Sequence, residues 1–268
     1  MVNFLQAYFG RKNLVVGSSL CTWKHWFQSR IHEGIQSGER SCRPSQPCPA
    51  CHEANHTLVV VMWRNPYDWT TAMSQMPHHA KYHAGLAGKL SAFLTKRWMV
   101  PREMEVALRA AAAKMDPKKD FCVDNFVPSE VLPCTENDRD SIYELDPNGE
   151  PYENIYALRK AKIQDFNAIQ EWMPMYERIL YEDMLDVDNL RSWLLSLDSK
   201  YGLVGNLDVV ARGRTAERMR MKMKSMYYAN NERCAPGCAL GVQRDAVETL
   251  NALFDEELES SIGYHKVS

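Results

Sequence analysis

Three sets of residues in this chain have types and spacings suited to chemistry. The first is Arg64, which closes the run Val59-Val60-Val61-Met62-Trp63 and precedes Asn65-Pro66. Its planar guanidinium grips a phosphate through paired hydrogen bonds, where a lysine supplies only a point charge. The competing reading is an arginine that caps a sheet edge through a surface ion pair. The second set is Cys42, Cys48, Cys51, His52 and His56, gathered within fifteen residues. Cys48-Pro-Ala-Cys51 has a spacing used by zinc sites, and Cys42, Cys48, Cys51 and His56 form the candidate ligand set of a structural zinc. A disulfide in an oxidising compartment and free thiols in a reducing one are the alternatives. Cys234 and Cys238 offer a further pair. The third set is basic: Arg212, Arg214, Arg218, Arg220, Lys222 and Lys224 crowd a short stretch ahead of Tyr227-Tyr228. Such a run is ordinarily a solvated helix face.

The elements that must position these groups follow from pattern. Thr57 to Trp63 is an unbroken apolar run rich in β-branched residues, which predicts a central strand covered on both faces of a parallel sheet. Pro66 lacks the amide that a ladder needs and pushes Asn65 out of the helical region, so the strand ends near Arg64. A helix is expected over 67–76, before Pro77. In open α/β sheets ligands bind outside the carboxyl ends of the strands, where Arg64 would project. Upstream, the pattern gives a helix at the amino terminus, a short strand over 13–16 and a turn carrying Thr22 to Trp26. The segment 36–56 reads as a polar loop, too rich in Pro, Ser and Cys for regular structure.

Downstream, helices are expected over 85–98 and 102–114, the second rich in alanine. Pro117, Pro128, Pro133 and Pro147 punctuate the polar stretch 115–150, which reads as a long insertion or flexible lid. The core resumes with a helix from Tyr152 to Trp172, a strand over 176–181, a turn at Glu182-Asp183 and a helix over 187–197. A basic helix over 212–226 and a terminal helix over 245–262 complete the chain. The carboxylates of Glu182 and Asp183 are placed to cap the helix that follows them. There is no internal repeat.

Composition bounds the class. A chain of 268 residues, 45% hydrophobic and 25% charged, fits one α/β domain spanning 1–268. No apolar run approaches the roughly 20 residues that cross a bilayer, so no membrane span is expected. The formal charge of -2 argues against a large basic field for a nucleic-acid polymer. The first ten residues have neither the charged-then-apolar layout of a signal peptide nor the character of a transit peptide.

Four segments, in order, resemble sulfotransferases that use 3'-phosphoadenosine-5'-phosphosulfate (PAPS), in particular a subgroup with a Gly-Trp-Lys-His turn. Thr22-Trp23-Lys24-His25 is similar to that turn. Arg64-Asn65-Pro66-Tyr67-Asp68-Trp69, with Met76-Pro77-His78-His79-Ala80, is similar to the family's 3'-phosphate segment and the helix after it. Tyr156 to Lys162, leading to Arg178-Ile179-Leu180-Tyr181-Glu182-Asp183-Met184-Leu185, resembles the family's helix and its Arg-Tyr-Glu-Asp-Leu strand end. Phe254 to Glu259, through Ile262-Gly263-Tyr264, is similar to its closing helix. The resemblance touches most of the chain except 36–56 and 115–150.

The resemblance implies a P-loop NTPase-like three-layer sandwich, a parallel sheet flanked by helices. It implies PAPS as donor and a hydroxyl or amine as the unidentified acceptor, whose pocket the 81–150 region would shape. Arg64 takes the role of 3'-phosphate ligand, and Lys222 or Lys224 that of a basic residue near the same phosphate. His25 becomes the catalytic base, since imidazole titrates near neutral pH, and Lys24 the cation beside the transferring group.

The chain departs from the family at two places. A Gly-Thr-rich loop that cradles the 5'-phosphosulfate should precede the first helix, and neither that loop nor its strand stands ahead of Val2; Gly17-Ser18-Ser19 is a poor substitute. The expectation is a chain that begins late relative to the family, by truncation or by degeneration, with any targeting segment lost. Cytoplasm and Golgi lumen both stay open. The family's serine eight residues after the arginine is here Ala72, flanked by Thr71 and Ser74, either of which would supply the missing hydroxyl. The alternative function is a non-catalytic α/β interaction module that keeps the fold and a zinc-stapled loop.

Overall fold

A computed structural model describes residues 2–10, 16, 20, 27–38, 56–75, 86, 89–97, 146, 152–206 and 244–266. The helices expected over 102–114 and 212–226, and most of 13–16, 36–56 and 115–150, lie outside the described residues. Within them the chain is mixed helix and strand, with a small parallel sheet of two strands. The elements in order are α1 (Val2–Phe9), α2 (Gln28–Gln36), β1 (Leu58–Trp63), α3 (Pro66–Gln75), α4 (Leu90–Thr95), α5 (Ile155–Ala168), β2 (Met175–Leu180), α6 (Val187–Tyr201), α7 (Arg244–Leu253) and α8 (Glu256–Ser261). Short 3-10 turns follow α5 at Ile169–Glu171 and β2 at Asp183–Leu185.

The chain divides into two compact units. One holds Met1–Ser18, Met62–Asn65 and Arg178–Gly241; the other holds Ser19–Val61, Pro66–Glu177 and Val242–Ser268.

In the first unit, α6 forms because Asp186 stands just ahead of it in extended conformation and accepts from the amides of Asp188 and Asn189. Those amides have no partner inside the helix, and an N-cap carboxylate satisfies them. Leu190, Leu194 and Leu197 recur at helical spacing and are all buried, and Gly202 ends the helix with φ of 64°. At α1 the same problem is solved at the other end. The carbonyl of Tyr8 accepts from the amide of Asn206 at 2.8 Å, and Gly10, at φ of 49°, turns the chain. The Tyr8 ring is buried against Gly205, where even a methyl group would overlap it.

In the second unit α5 is the organising helix. Asn154 caps it by accepting from Tyr156 and Ala157, and Ile155, Leu158 and Ile163 are buried along it. α2, α4 and α8 pack against it. α2 has no side-chain cap of its own. The carboxylate of Asp165, from α5, supplies one by accepting from the amides of Ser29 and Arg30 at 3.2 and 3.1 Å. Ser29 returns a bond from its hydroxyl to the Asp165 carbonyl, and His32 stacks on Trp172 at 3.9 Å between ring centroids.

Several boundaries differ from those expected. The strand over 57–63 forms, but it is not covered on both faces: Met62 is 40% exposed and Val59 and Val60 are half-buried. Two further predicted helices are shorter or broken. The helix expected over 85–98 is described as helical only at Leu90–Thr95. The terminal helix over 245–262 is two helices, because Asp255 turns extended and caps α8 through the amide of Leu258.

Candidate functional site

The candidate site begins where the two strands end. β1 finishes at Trp63, Arg64 and Asn65 follow, and Pro66 opens α3 with the fixed backbone angle that suits a first helical residue. β2 finishes at Leu180, and Tyr181 and Glu182 follow. Two bonds tie these segments on either side of Arg64. The amide of Tyr181 donates to the carbonyl of Trp63 at 2.6 Å, and the amide of Asn65 donates to the Glu182 carboxylate at 3.0 Å. Arg64 is therefore flanked by two fixed neighbours. Its guanidinium carbon lies 4.9 Å from the centroid of the Tyr181 ring, within the range of a cation–π contact.

The carboxylates here do not divide their work as the sequence suggested. Glu182 reaches the amide after β1, and Asp186 caps α6. The reason is distance along the chain: the 3-10 turn Asp183–Leu185 stands between Glu182 and the helix, so only Asp186 sits at its first turn. Burial pushes the Asp183 carboxyl above its usual value, and the charges of Glu182 and Asp186 push it the same way.

Thr71 and Ser74 lie on α3, both buried. The Thr71 hydroxyl donates to the Tyr67 carbonyl at 2.8 Å, and the Ser74 hydroxyl donates to the Thr71 carbonyl at 2.8 Å. Thr70 also donates back into the helix, to Pro66. A hydroxyl carries one proton, so in this arrangement neither Thr71 nor Ser74 has one to offer a phosphate oxygen. Arg64 belongs to the first compact unit, Thr71 and Ser74 to the second.

Of the other candidates, Lys24, His25, Lys222, Lys224, Cys42, Cys48 and Cys51 lie outside the described residues. His56 is described, exposed and just ahead of β1. Among the described residues no group of three or more His, Cys, Asp or Glu side chains is arranged to hold a metal ion. No described helix is long and apolar enough to cross a membrane.

Two of the segments quoted for the family resemblance meet in the second unit. Arg159, from Tyr156 to Lys162, forms a bidentate pair with Glu259, from Phe254 to Glu259: Nε to Oε1 is 2.6 Å and Nη2 to Oε2 is 2.9 Å. The side chains are 3% and 0% exposed. Tyr156 donates to the same carboxylate at 2.7 Å, and burial, then the Glu259 charge, drives its phenol far above the ordinary value. Sequence reasoning assigned this pair no role. A Glu inside an otherwise exposed acidic run gives no sign that it, and not Glu256 or Glu257, is the buried one.

Comparisons with family models, with curated proteins and with solved structures give no match to this chain.

Proposed function

We propose that the chain is a sulfotransferase-like protein that binds PAPS through Arg64 and transfers its sulfonate to a hydroxyl or amine acceptor. The observation that carries the reading is the place of Arg64: it follows the end of one of two paired parallel strands, held against the residues that follow the other. Ligands of α/β sheets gather outside those ends. A guanidinium there offers a 3'-phosphate two parallel charge-assisted hydrogen bonds.

In the proposed reaction the acceptor oxygen or nitrogen bonds to sulfur as the bond between sulfur and the 5'-phosphate oxygen breaks. The electron pair leaves with the phosphate, giving 3'-phosphoadenosine-5'-phosphate. The resemblance assigns the acceptor's proton to the His25 imidazole, and to Lys24 the stabilising of the transferring group.

Thermal unfolding with and without 3'-phosphoadenosine-5'-phosphate tests the reading. At a hundredfold excess over Kd a ligand specific for the native state adds about 2.7 kcal/mol. That is roughly 5 to 10 °C in a chain of this size, and Arg64→Ala should remove most of it. No shift at saturating nucleotide would defeat the proposal.

A further inference from the structure

α2 is clasped to the end of α5 by four side chains: Ser29 and His32 on α2, Asp165 near the end of α5, and Trp172 just beyond it. Ser29 and His32 stand three residues apart and so share one face of α2. The indole N–H of Trp172 donates to the Ser29 hydroxyl oxygen at 3.3 Å, and its ring lies on the His32 imidazole with the two planes 7° apart. The Asp165 carboxylate takes the amides of Ser29 and Arg30. His32 is 3% exposed, and it is the member of this clasp whose ordinary pKa lies nearest neutrality.

Charging that ring places a cation in an interface with no anion for it. Among the described residues no carboxylate pairs with the ring. The charged groups of the packed elements are bonded to other partners or face solvent. On α5, Asp165 is taken by the α2 amides, Lys162 lies over the Phe27 ring, Lys160 pairs with Asp255, and Arg159 and Tyr156 share Glu259. On α2, Arg30 meets the Phe27 ring and the Tyr152 hydroxyl, and Glu33 is exposed, as is Glu171 beyond α5. The indole face attracts an imidazolium, but less than the water given up on burial.

We propose that His32 makes the docking of α2 on α5 a pH-sensitive latch, closed while the imidazole is neutral and loosened when mild acid protonates it. The inference is independent of the sulfotransferase reading. Burial holds the docked imidazole below its ordinary value. The open state takes up the proton at about pH 6.5, the docked state only at lower pH. The latch is therefore at full strength above about pH 6.5 and weakens below it, by at most about tenfold in the opening constant per unit of pH, until the docked state is itself protonated. Asp165 acts with the opposite sign, since its raised carboxyl strengthens docking as pH falls.

Hydrogen exchange of the α2 amides in the full chain, expressed as protection factors, reads the latch. Protection should fall by up to roughly thirtyfold between about pH 6.5 and 5, and more steeply in Asp165→Asn, where the opposing group is gone. His32→Phe keeps a ring for the stack and carries no charge, so the fall should vanish. The amides of α6, in the other compact unit, should keep their protection throughout. A fall of the same size in His32→Phe, no fall in Asp165→Asn, or an equal fall in α6 would each overturn the latch. A direct measurement on the unaltered chain guards against a His32→Phe variant that does not fold: the His32 ring, followed by nuclear magnetic resonance, should titrate below the ordinary value, and titration at or above about pH 6.5 would refute the proposal.

Discussion

Replacing Glu259 by alanine should cost this protein a large part of its stability. The carboxylate is fully buried, and three donors converge on it: Nε and Nη2 of Arg159 and the hydroxyl of Tyr156. Removing it takes the bidentate partner from a guanidinium that is 3% exposed, and the Trp69 ring, 5.0 Å from its carbon, is a far weaker contact. Breaking one side of a buried pair typically costs about 3 to 5 kcal/mol, because the remaining charge keeps its desolvation penalty. Against a total stability of about 5 to 15 kcal/mol, that is the difference between a folded and a marginal chain. With a urea slope of about 3 kcal/mol/M the midpoint should fall by roughly 1 to 1.7 M.

The decisive comparison is the double variant. Arg159→Met with Glu259→Leu removes both charges together, and buried pairs replaced in this way commonly leave stability unchanged or improved. The double variant should therefore be more stable than either single variant, which is a coupling of several kcal/mol in a double-mutant cycle. Urea unfolding followed by circular dichroism reads all four corners. If the double variant falls by the sum of the two singles, the pair is not coupled and the reasoning from desolvation is wrong.

Further outcomes follow from particular contacts. Gly205→Ala places a methyl group inside the buried Tyr8 ring, and should lower stability by about 1 to 3 kcal/mol in urea unfolding; a cost under half a kcal/mol would refute the close approach. Asp165 should make stability pH-dependent: burial raises its carboxyl, outweighing the amides of Arg30, Ser29 and Gln28 and the Lys162 ammonium that favour the charged form. A raised folded-state pKa means its contribution is fully present below the ordinary carboxyl range, about 3.9, and is lost as pH rises through the folded value. Asp165→Asn still offers an oxygen to the α2 amides and should abolish that part of the profile; an unchanged profile would refute the assignment.

The parts of the fold that could be read from sequence are those whose signals are local. α6 carries its cap, its leucine spacing and its terminal glycine within seventeen residues, Asp186 to Gly202; it starts where expected, at Val187, but runs past 197 to Tyr201 and is capped by Asp186, not by Glu182 or Asp183. β1 is likewise marked by a short apolar run closed by turn residues, whereas β2 carries Glu177 and Arg178 within it. α2 was not legible because its cap is not local: the carboxylate that satisfies its first amides belongs to Asp165, far along the chain. The break before α8 had a readable sign, since Asp255 with Glu256, Glu257 and Glu259 is an N-cap followed by an acidic first turn. A continuous amphipathic reading over 245–262 concealed it. At the candidate site the arginine was legible from the strand that precedes it. Its aromatic neighbour was visible as a residue, but no sequence rule pairs position 64 with position 181.

The two arginines in the segments that suggested the family sit in different surroundings. Arg159 has its guanidinium filled by a bidentate carboxylate and sealed from water. An incoming anion would have to displace Glu259 and leave that carboxylate buried without its partner, at a cost of the same several kcal/mol that makes the pair a stability element. Arg64 is half-buried, its guanidinium carbon lies 4.9 Å from the centroid of the Tyr181 ring, and the neighbouring Glu182 carboxylate accepts from the amide of Asn65. Arg159 is thus held by the fold, so in the proposed reading the 3'-phosphate falls to Arg64: Arg64→Ala should remove the stabilisation by 3'-phosphoadenosine-5'-phosphate, whereas Arg159→Met should lower stability without any nucleotide.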